Sequence, residues 1–170
     1  MFKYKNEIEY WLDEMKIKNF TINEDLTVDV NNNVDLERCW LKELPVQFGK
    51  VEGFFDCANN QLTSLKGCPY EVDGYFACHN NKLTSLEHSP KYINGDFECD
   101  YNQLTSLEHS PLRVNGDFHC LNNQLENEQL YDMDVNQIHQ YYYAIKLSER
   151  LTRELPQVNQ EQKLVRKMKL

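Results

Sequence analysis

Apolar positions recur along this chain with a fixed period of 21 residues through its middle. Aligned at that period, the segments read FDCANNQLTSL from Phe55, FACHNNKLTSL from Phe76, FECDYNQLTSL from Phe97 and FHCLNNQL from Phe118. The register extends back to Val34, Leu36, Leu41 and Leu44, one period before Phe55, Cys57, Leu62 and Leu65. Four full units therefore run 34–54, 55–75, 76–96 and 97–117, with a truncated fifth at 118–125. Other columns keep step: Val51, Val72, Ile93 and Val114; Gly53, Gly74, Gly95 and Gly116; Pro69, Pro90 and Pro111. The first unit departs most, with Cys39 where later units have Asn and with Pro45 displaced, as first units of capped arrays do.

Each column has a physical reason. Phe and Cys alternate with polar residues, as in Phe97-Glu98-Cys99-Asp100, which is the period-2 signature of a short strand. Stacked units would pair these strands into a parallel sheet. Asn60, Asn81, Asn102 and Asn123 fall where a buried amide ladder can satisfy the backbone of its own turn and of the next coil. Leu62/65, Leu83/86 and Leu104/107 then fill the core behind the sheet. The glycines predict either a positive φ or tight packing where the chain enters each strand. The prolines predict a stiff, extended return segment.

These motifs resemble the short-unit leucine-rich-repeat proteins of bacteria and bacteriophages. The resemblance covers roughly residues 34–125 and implies an α/β solenoid built on a short parallel sheet. In style it is nearest to the repeats of secreted bacterial effectors, some of which carry a C-terminal ubiquitin-ligase domain. The 45 residues after Leu125 are too few for that domain, so ligase activity does not carry over. The resemblance implies non-enzymatic protein binding, in the manner of a phage-type inhibitor that occludes a host or defence protein.

The flanks read as caps, giving three segments: 1–33, 34–125 and 126–170. Ile8, Trp11, Leu12 and Met15 share one helix face, and Asn6 with Glu9 has the spacing of a capping box. Phe20 and Ile22, then Leu26, Val28 and Val30, alternate around Asn23-Glu24-Asp25 as a hairpin leading into the first unit. Asp134 with Gln137 begins a second helix, expected to run from about Val135 to Leu155 and to stop at Pro156, with Ile138, Tyr142, Ile145 and Leu151 as its buried stripe. A last short helix is expected over 160–170, with Leu164, Val165 and Met168 on one face. Tyr141, Tyr142 and Tyr143 cannot all share one face, so a homodimer or partner contact is expected there.

Charge narrows the functional classes. The chain carries a net charge of -9. Residues 1–125 hold 11 Lys/Arg against 20 Asp/Glu, whereas the tail beyond Asp134 holds seven basic residues against Glu149, Glu154 and Glu161. An acidic body lacks the basic footprint that nucleic acid needs, so direct nucleic-acid binding is not expected. No apolar run approaches the roughly 20 residues of a membrane span, and residues 1–15 lack a signal-peptide core, so a cytoplasmic setting without membrane contact is expected. No cofactor is expected. Cys57, Cys78, Cys99 and Cys120 sit at the inward strand position that Leu36 fills in the first unit, and they form a line of small buried hydrophobes rather than a zinc tetrahedron.

The outward strand positions carry the candidate site. By rung they are Asn33, Asp35 and Glu37; Phe54, Asp56 and Ala58; Tyr75, Ala77 and His79; Asp96, Glu98 and Asp100; Asp117, His119 and Leu121. Seven of these 15 are carboxylates and none is Lys or Arg, with Arg38 beside the set and Tyr101 in the adjoining column. Like charges on neighbouring rungs, such as Asp96 and Asp117, oppose sheet formation, so a face that keeps them suits a cationic partner. Phe54, Tyr75 and Tyr101 would supply aromatic anchors to a protein with a basic surface, with His79 and His119 beside them. Two lesser readings use the same residues. Asp96, Glu98, Asp100 and Asp117 could hold a divalent cation, and Glu98 with His119, or Asp100 with His79, could act as acid–base pairs. Self-assembly through the C-terminal helices is the alternative class.

Overall fold

The computed structural model describes residues 1–167, and side-chain surroundings for residues 1–154. Two compact units result, Met1–Ile138 and His139–Leu170. The first is a β-solenoid with a helix before it. Helix α1 (Lys5–Glu14) leads to a hairpin of β1 (Phe20–Ile22) and β2 (Thr27–Val30). Short strands follow: β3 (Val34–Asp35), β4 (Gln47–Val51), β5 (Phe55–Asp56), β6 (Glu71–Val72), β7 (Phe76–Ala77), β8 (Tyr92–Ile93), β9 (Phe97–Glu98), β10 (Arg113–Val114) and β11 (Phe118–His119).

These strands form two sheets, one more than the repeat pattern suggests. Sheet B, in the order β11-β9-β7-β5-β3, is the parallel sheet expected from the Phe/Cys columns. Its register places Val34, Phe55, Phe76, Phe97 and Phe118 side by side. Sheet A, in the order β1-β2-β4-β6-β8-β10, uses the column of Val51, Val72, Ile93 and Val114. The return segment after each buried proline therefore pairs as well. The hairpin does more than lead into the first unit: β2 pairs parallel with β4 and starts sheet A.

The core lies between the sheets. Phe48 meets Phe55 edge to face at 5.1 Å, and Phe55, Phe76, Phe97 and Phe118 stack in sequence with centroids 5.5, 5.7 and 5.0 Å apart. Each such contact adds about 0.5–1.5 kcal/mol beyond area burial. The repeated leucines and the cysteines at 57, 78, 99 and 120 are buried with them. Asn102 shows how the ladder works. Its Nδ2 donates to the carbonyls of Cys78 (3.0 Å) and Cys99 (3.2 Å), while its Oδ1 accepts from Leu83 N–H (3.0 Å). Asn60, Asn81 and Asn123 repeat the pattern, so each amide ties its turn to the preceding coil rather than the next.

The glycines of the recurring column, Gly53, Gly74, Gly95 and Gly116, act by close packing, not by positive φ. A Cβ on Gly74 would sit 2.8 Å from Phe54 N and 2.9 Å from Gly53 C. The left-handed positions lie elsewhere, at Arg38, Asn59, Asn80, Tyr101 and Asn122, with φ between 52 and 56°. Gly67, His88 and His109 form a second such column. That placement accounts for the recurring histidines without chemistry, because His is among the residues that tolerate this region.

The caps differ in detail from expectation. Ile8 and Leu12 of α1 are buried, with Trp11 and Met15 half-buried beside them. The helix begins two residues earlier than the Asn6/Glu9 spacing suggests: the Glu7 carboxylate accepts from Tyr4 N–H at 3.2 Å and Lys3 N–H at 3.1 Å. A 3-10 turn over Glu128–Asp132 buries Leu130, and Asp134 caps α2 (Val135–Lys167) by accepting from Gln137 N–H at 2.9 Å. Helix α2 runs through Pro156, although proline removes the N–H that would bond to Thr152 O. Its remaining backbone ladder and its strong helix formers offset that local loss. Val135 and Ile138 are buried, but Ile145 and Leu151 are exposed, so the expected stripe ends after one turn. The apolar set Leu164, Val165 and Met168 lies outside the described side chains.

Candidate functional site: the outer face of sheet B

The register of sheet B arranges the outward positions in three columns. The central one runs Asp35, Asp56, Ala77, Glu98, His119. Adjacent parallel strands lie about 4.8 Å apart. Beside this column Phe54 and Tyr75 stack face to face, centroids 4.7 Å apart and rings 10° from parallel. Ala58 and Ala77 are buried and leave a small-residue floor between the carboxylates.

Six of the seven carboxylates divide into two groups, with Asp117 apart on the last rung. One group is bound into the scaffold. Asp96 Oδ1 accepts from Asp117 N–H at 2.8 Å, and Asp100 Oδ1 accepts from Leu121 N–H at 2.6 Å, so each ties one rung to the next. The close approach of Asp96 and Asp117 thus serves a backbone bond. Asp35 and Asp56 accept from Glu37 N–H (3.1 Å) and Ala58 N–H (2.9 Å) on their own strands. They keep a place in the centre of the face beside Glu37 and Glu98, and these four form the second group.

Their electrostatic coupling is visible in two neighbours. Burial, the backbone bond notwithstanding, pushes the Asp56 carboxyl above its ordinary value, and the Glu37 and Asp35 charges push the same way. Tyr75 is raised by burial and then by Asp56, Asp35, Glu98 and Glu37. An aromatic ring on this face therefore sits in the combined field of four carboxylates, where a cation is favoured.

Cationic groups around them are few. His79 Nε2 lies 3.7 Å from Glu98 Oε2, so the histidine pairs with Glu98 rather than with Asp100. His119 is exposed and directly opposite Glu98 in register. Arg38 lies 3.3 Å from Glu37, whose carboxylate also accepts from Asn59 Nδ2 at 2.9 Å. Among the described residues no group of three His, Cys, Asp or Glu is placed to share a metal ion. Tyr101 and Leu121 are exposed at the turn edge, and Asp117 at the last rung.

Sheet A provides an internal comparison. On its outer face Lys50 Nζ lies 2.9 Å from Glu71 and 3.1 Å from Asp73, while Asn94 donates to Asp73 and Arg113 to Asn115. That face mixes signs and pairs them internally. The outward positions of sheet B hold seven carboxylates and no Lys or Arg, with His79 beside Glu98, His119 ending the central column and Arg38 against Glu37.

The remaining sequence candidates lie in the second unit. Tyr141 and Tyr142 meet edge to face at 5.1 Å and are half-buried, and Tyr143 is exposed. One exposed residue escaped the sequence reading. Trp40 occupies a column otherwise filled by Gln61, Lys82, Gln103 and Gln124, and that break in polarity was the available signal.

No family model matches this chain, and no curated protein or solved structure matches it. No helix among the described residues is long and apolar enough to cross a membrane.

Proposed function

We propose that this chain is a leucine-rich-repeat protein-binding module of the bacterial or bacteriophage type. It engages a basic protein surface through the outer face of sheet B. The asparagine ladder and the Leu/Asn spacing support the repeat class. The observation that carries the function is the contrast between the sheets. The same scaffold holds a neutralised, mixed-sign face on sheet A and a single-sign face on sheet B. Single-sign surfaces steer oppositely charged partners and exclude like-charged ones. The Phe54–Tyr75 stack supplies rigid apolar contact area at the centre of that charge.

Binding of this kind needs no reaction and no cofactor, and it acts by occlusion: the covered basic surface of the target is lost to its other ligands. A phage-type inhibitor of a host or defence protein in the cytoplasm would work in this way. The test is a triple variant, Asp35→Asn/Asp56→Asn/Glu98→Gln, which keeps size and hydrogen-bond acceptors while removing three charges. Partner affinity should fall at least tenfold and the salt dependence of binding should flatten. Unchanged affinity sinks the reading.

One observation favours a second reading, self-association through the C-terminal helix. Tyr143, Ile145, Leu147 and Leu151 of α2 are exposed on a helix of 33 residues. Sedimentation across a hundredfold concentration range separates the two readings, since a monomer throughout removes assembly.

A further inference from the structure

We propose that Trp40 is the aromatic anchor of the partner site and takes an arginine side chain of the basic segment that sheet B receives. The inference rests on the acidic-face reading and adds a residue to it.

Trp40 is 80% exposed, the highest value among the large hydrophobic residues described. Core packing therefore does not require it. Repeat geometry does not require it either, because Gln61, Lys82, Gln103 and Gln124 occupy the same column. Its backbone lies in the left-handed region at φ 59°, two residues after Arg38 at φ 56°. Bulky L residues are disfavoured there, and the aligned glutamines do not adopt it. An exposed indole held in a strained turn contributes nothing evident to folding, and such outliers concentrate at binding and switch sites.

The turn is fixed on both sides. Asn60 Oδ1 accepts from Leu41 N–H at 2.9 Å on one side. On the other, Glu37 is held by Arg38 at 3.3 Å and Asn59 at 2.9 Å. The turn also borders the acidic face, because Glu37 is itself a member of that face and stands three residues before Trp40 in the same turn. An indole is the best ring for a cation, and arginine is the cation most often found over one. The carboxylates attract the basic segment, and the indole distinguishes a planar guanidinium from an ammonium.

The chain has two tryptophans, so Trp11→Phe leaves Trp40 as the sole indole fluorophore. Deca-arginine and deca-lysine peptides serve as defined probes. Deca-arginine should quench Trp40 emission saturably and bind more tightly than deca-lysine. Trp40→Gln, which installs the residue of the second unit in the otherwise native chain, should weaken deca-arginine binding roughly fivefold, without lowering the melting temperature. Undiminished binding by Trp40→Gln with Trp40 emission unmoved overturns the anchor while leaving the acidic face in place. If deca-arginine fails to bind, or binds the Asp35→Asn/Asp56→Asn/Glu98→Gln variant as tightly as the native chain, the acidic-face reading itself falls.

Discussion

Asparagine occupies two consecutive positions in the turn of most units, and substitution at each has an opposite consequence. The second is the ladder. Replacing Asn102 by Leu leaves the buried Leu83 N–H without its acceptor, while the Cys78 carbonyl keeps the Asn81 Nδ2 donor at 3.1 Å. An orphaned buried group costs about 1–3 kcal/mol, so a loss of that size in urea denaturation is expected. The first is the left-handed column, where Tyr101 stands at φ 52° in place of Asn. Tyr101→Asn should stabilise the fold by about 1 kcal/mol, and it should weaken partner binding. A variant that gains stability and loses affinity marks a residue kept for function. Asp56 makes a similar case through pH. Its folded pKa is raised, so the fold favours the protonated form. That stability is present below the ordinary value of 3.8 and is lost as pH rises through the folded pKa. Asp56→Asn should therefore melt higher than the native chain at pH 7, and the difference should vanish below about pH 3.8. Thiol chemistry gives a further check. Cys57, Cys68, Cys78, Cys99 and Cys120 are buried, and burial raises the pKa of Cys78 and Cys99 well above normal and that of Cys120 to about 12. A thiol reagent should label Cys39 first in the native protein, with the others reacting only on unfolding.

At the scale of elements, the repeat period made one sheet legible and hid the other. Phe and Cys alternate over four residues, enough for a period-2 signal, and sheet B follows that register. The strands of sheet A after β4 are two residues long, as are those of sheet B. The Val72, Ile93 and Val114 column, however, is followed two places on by Gly74, Gly95 and Gly116, not by a second apolar column as Cys follows Phe, so no period-2 signal builds up. The recurring Val51/Val72/Ile93 column was visible as a pattern, but its pairing depends on the path of the return segment. The glycine column was legible as a positive φ or tight packing, and only the structure selects the packing. Gly74→Ala should destabilise by about 1–3 kcal/mol, since its Cβ would meet backbone atoms of Gly53 and Phe54 that cannot move aside. Differential scanning calorimetry would register this as a lower melting temperature with an unchanged transition shape. Pro156 misled the reading of α2, because a helix-breaking residue acts on a local balance that flanking Leu, Arg, Glu and Gln can outweigh.

For the whole molecule, the candidate site was legible only as a list of outward positions, without the side-chain bonds that some of them make. Alternation on the strands picked out seven carboxylates on the outer face, yet backbone geometry decides that Asp96 and Asp100 brace neighbouring rungs. Such bonds join positions 21 residues apart and depend on side-chain rotamers that no spacing encodes. The remaining group, Asp35, Glu37, Asp56 and Glu98 around the Phe54–Tyr75 stack, is the core of the account. The most direct test is affinity capture from cells of the source organism, with the native chain and the Asp35→Asn/Asp56→Asn/Glu98→Gln variant as parallel baits, each shown folded by its melting curve. A basic protein should be recovered by the native chain and depleted at least tenfold by the variant, which melts no lower. Equal recovery of the same protein by both baits would contradict the acidic-face reading.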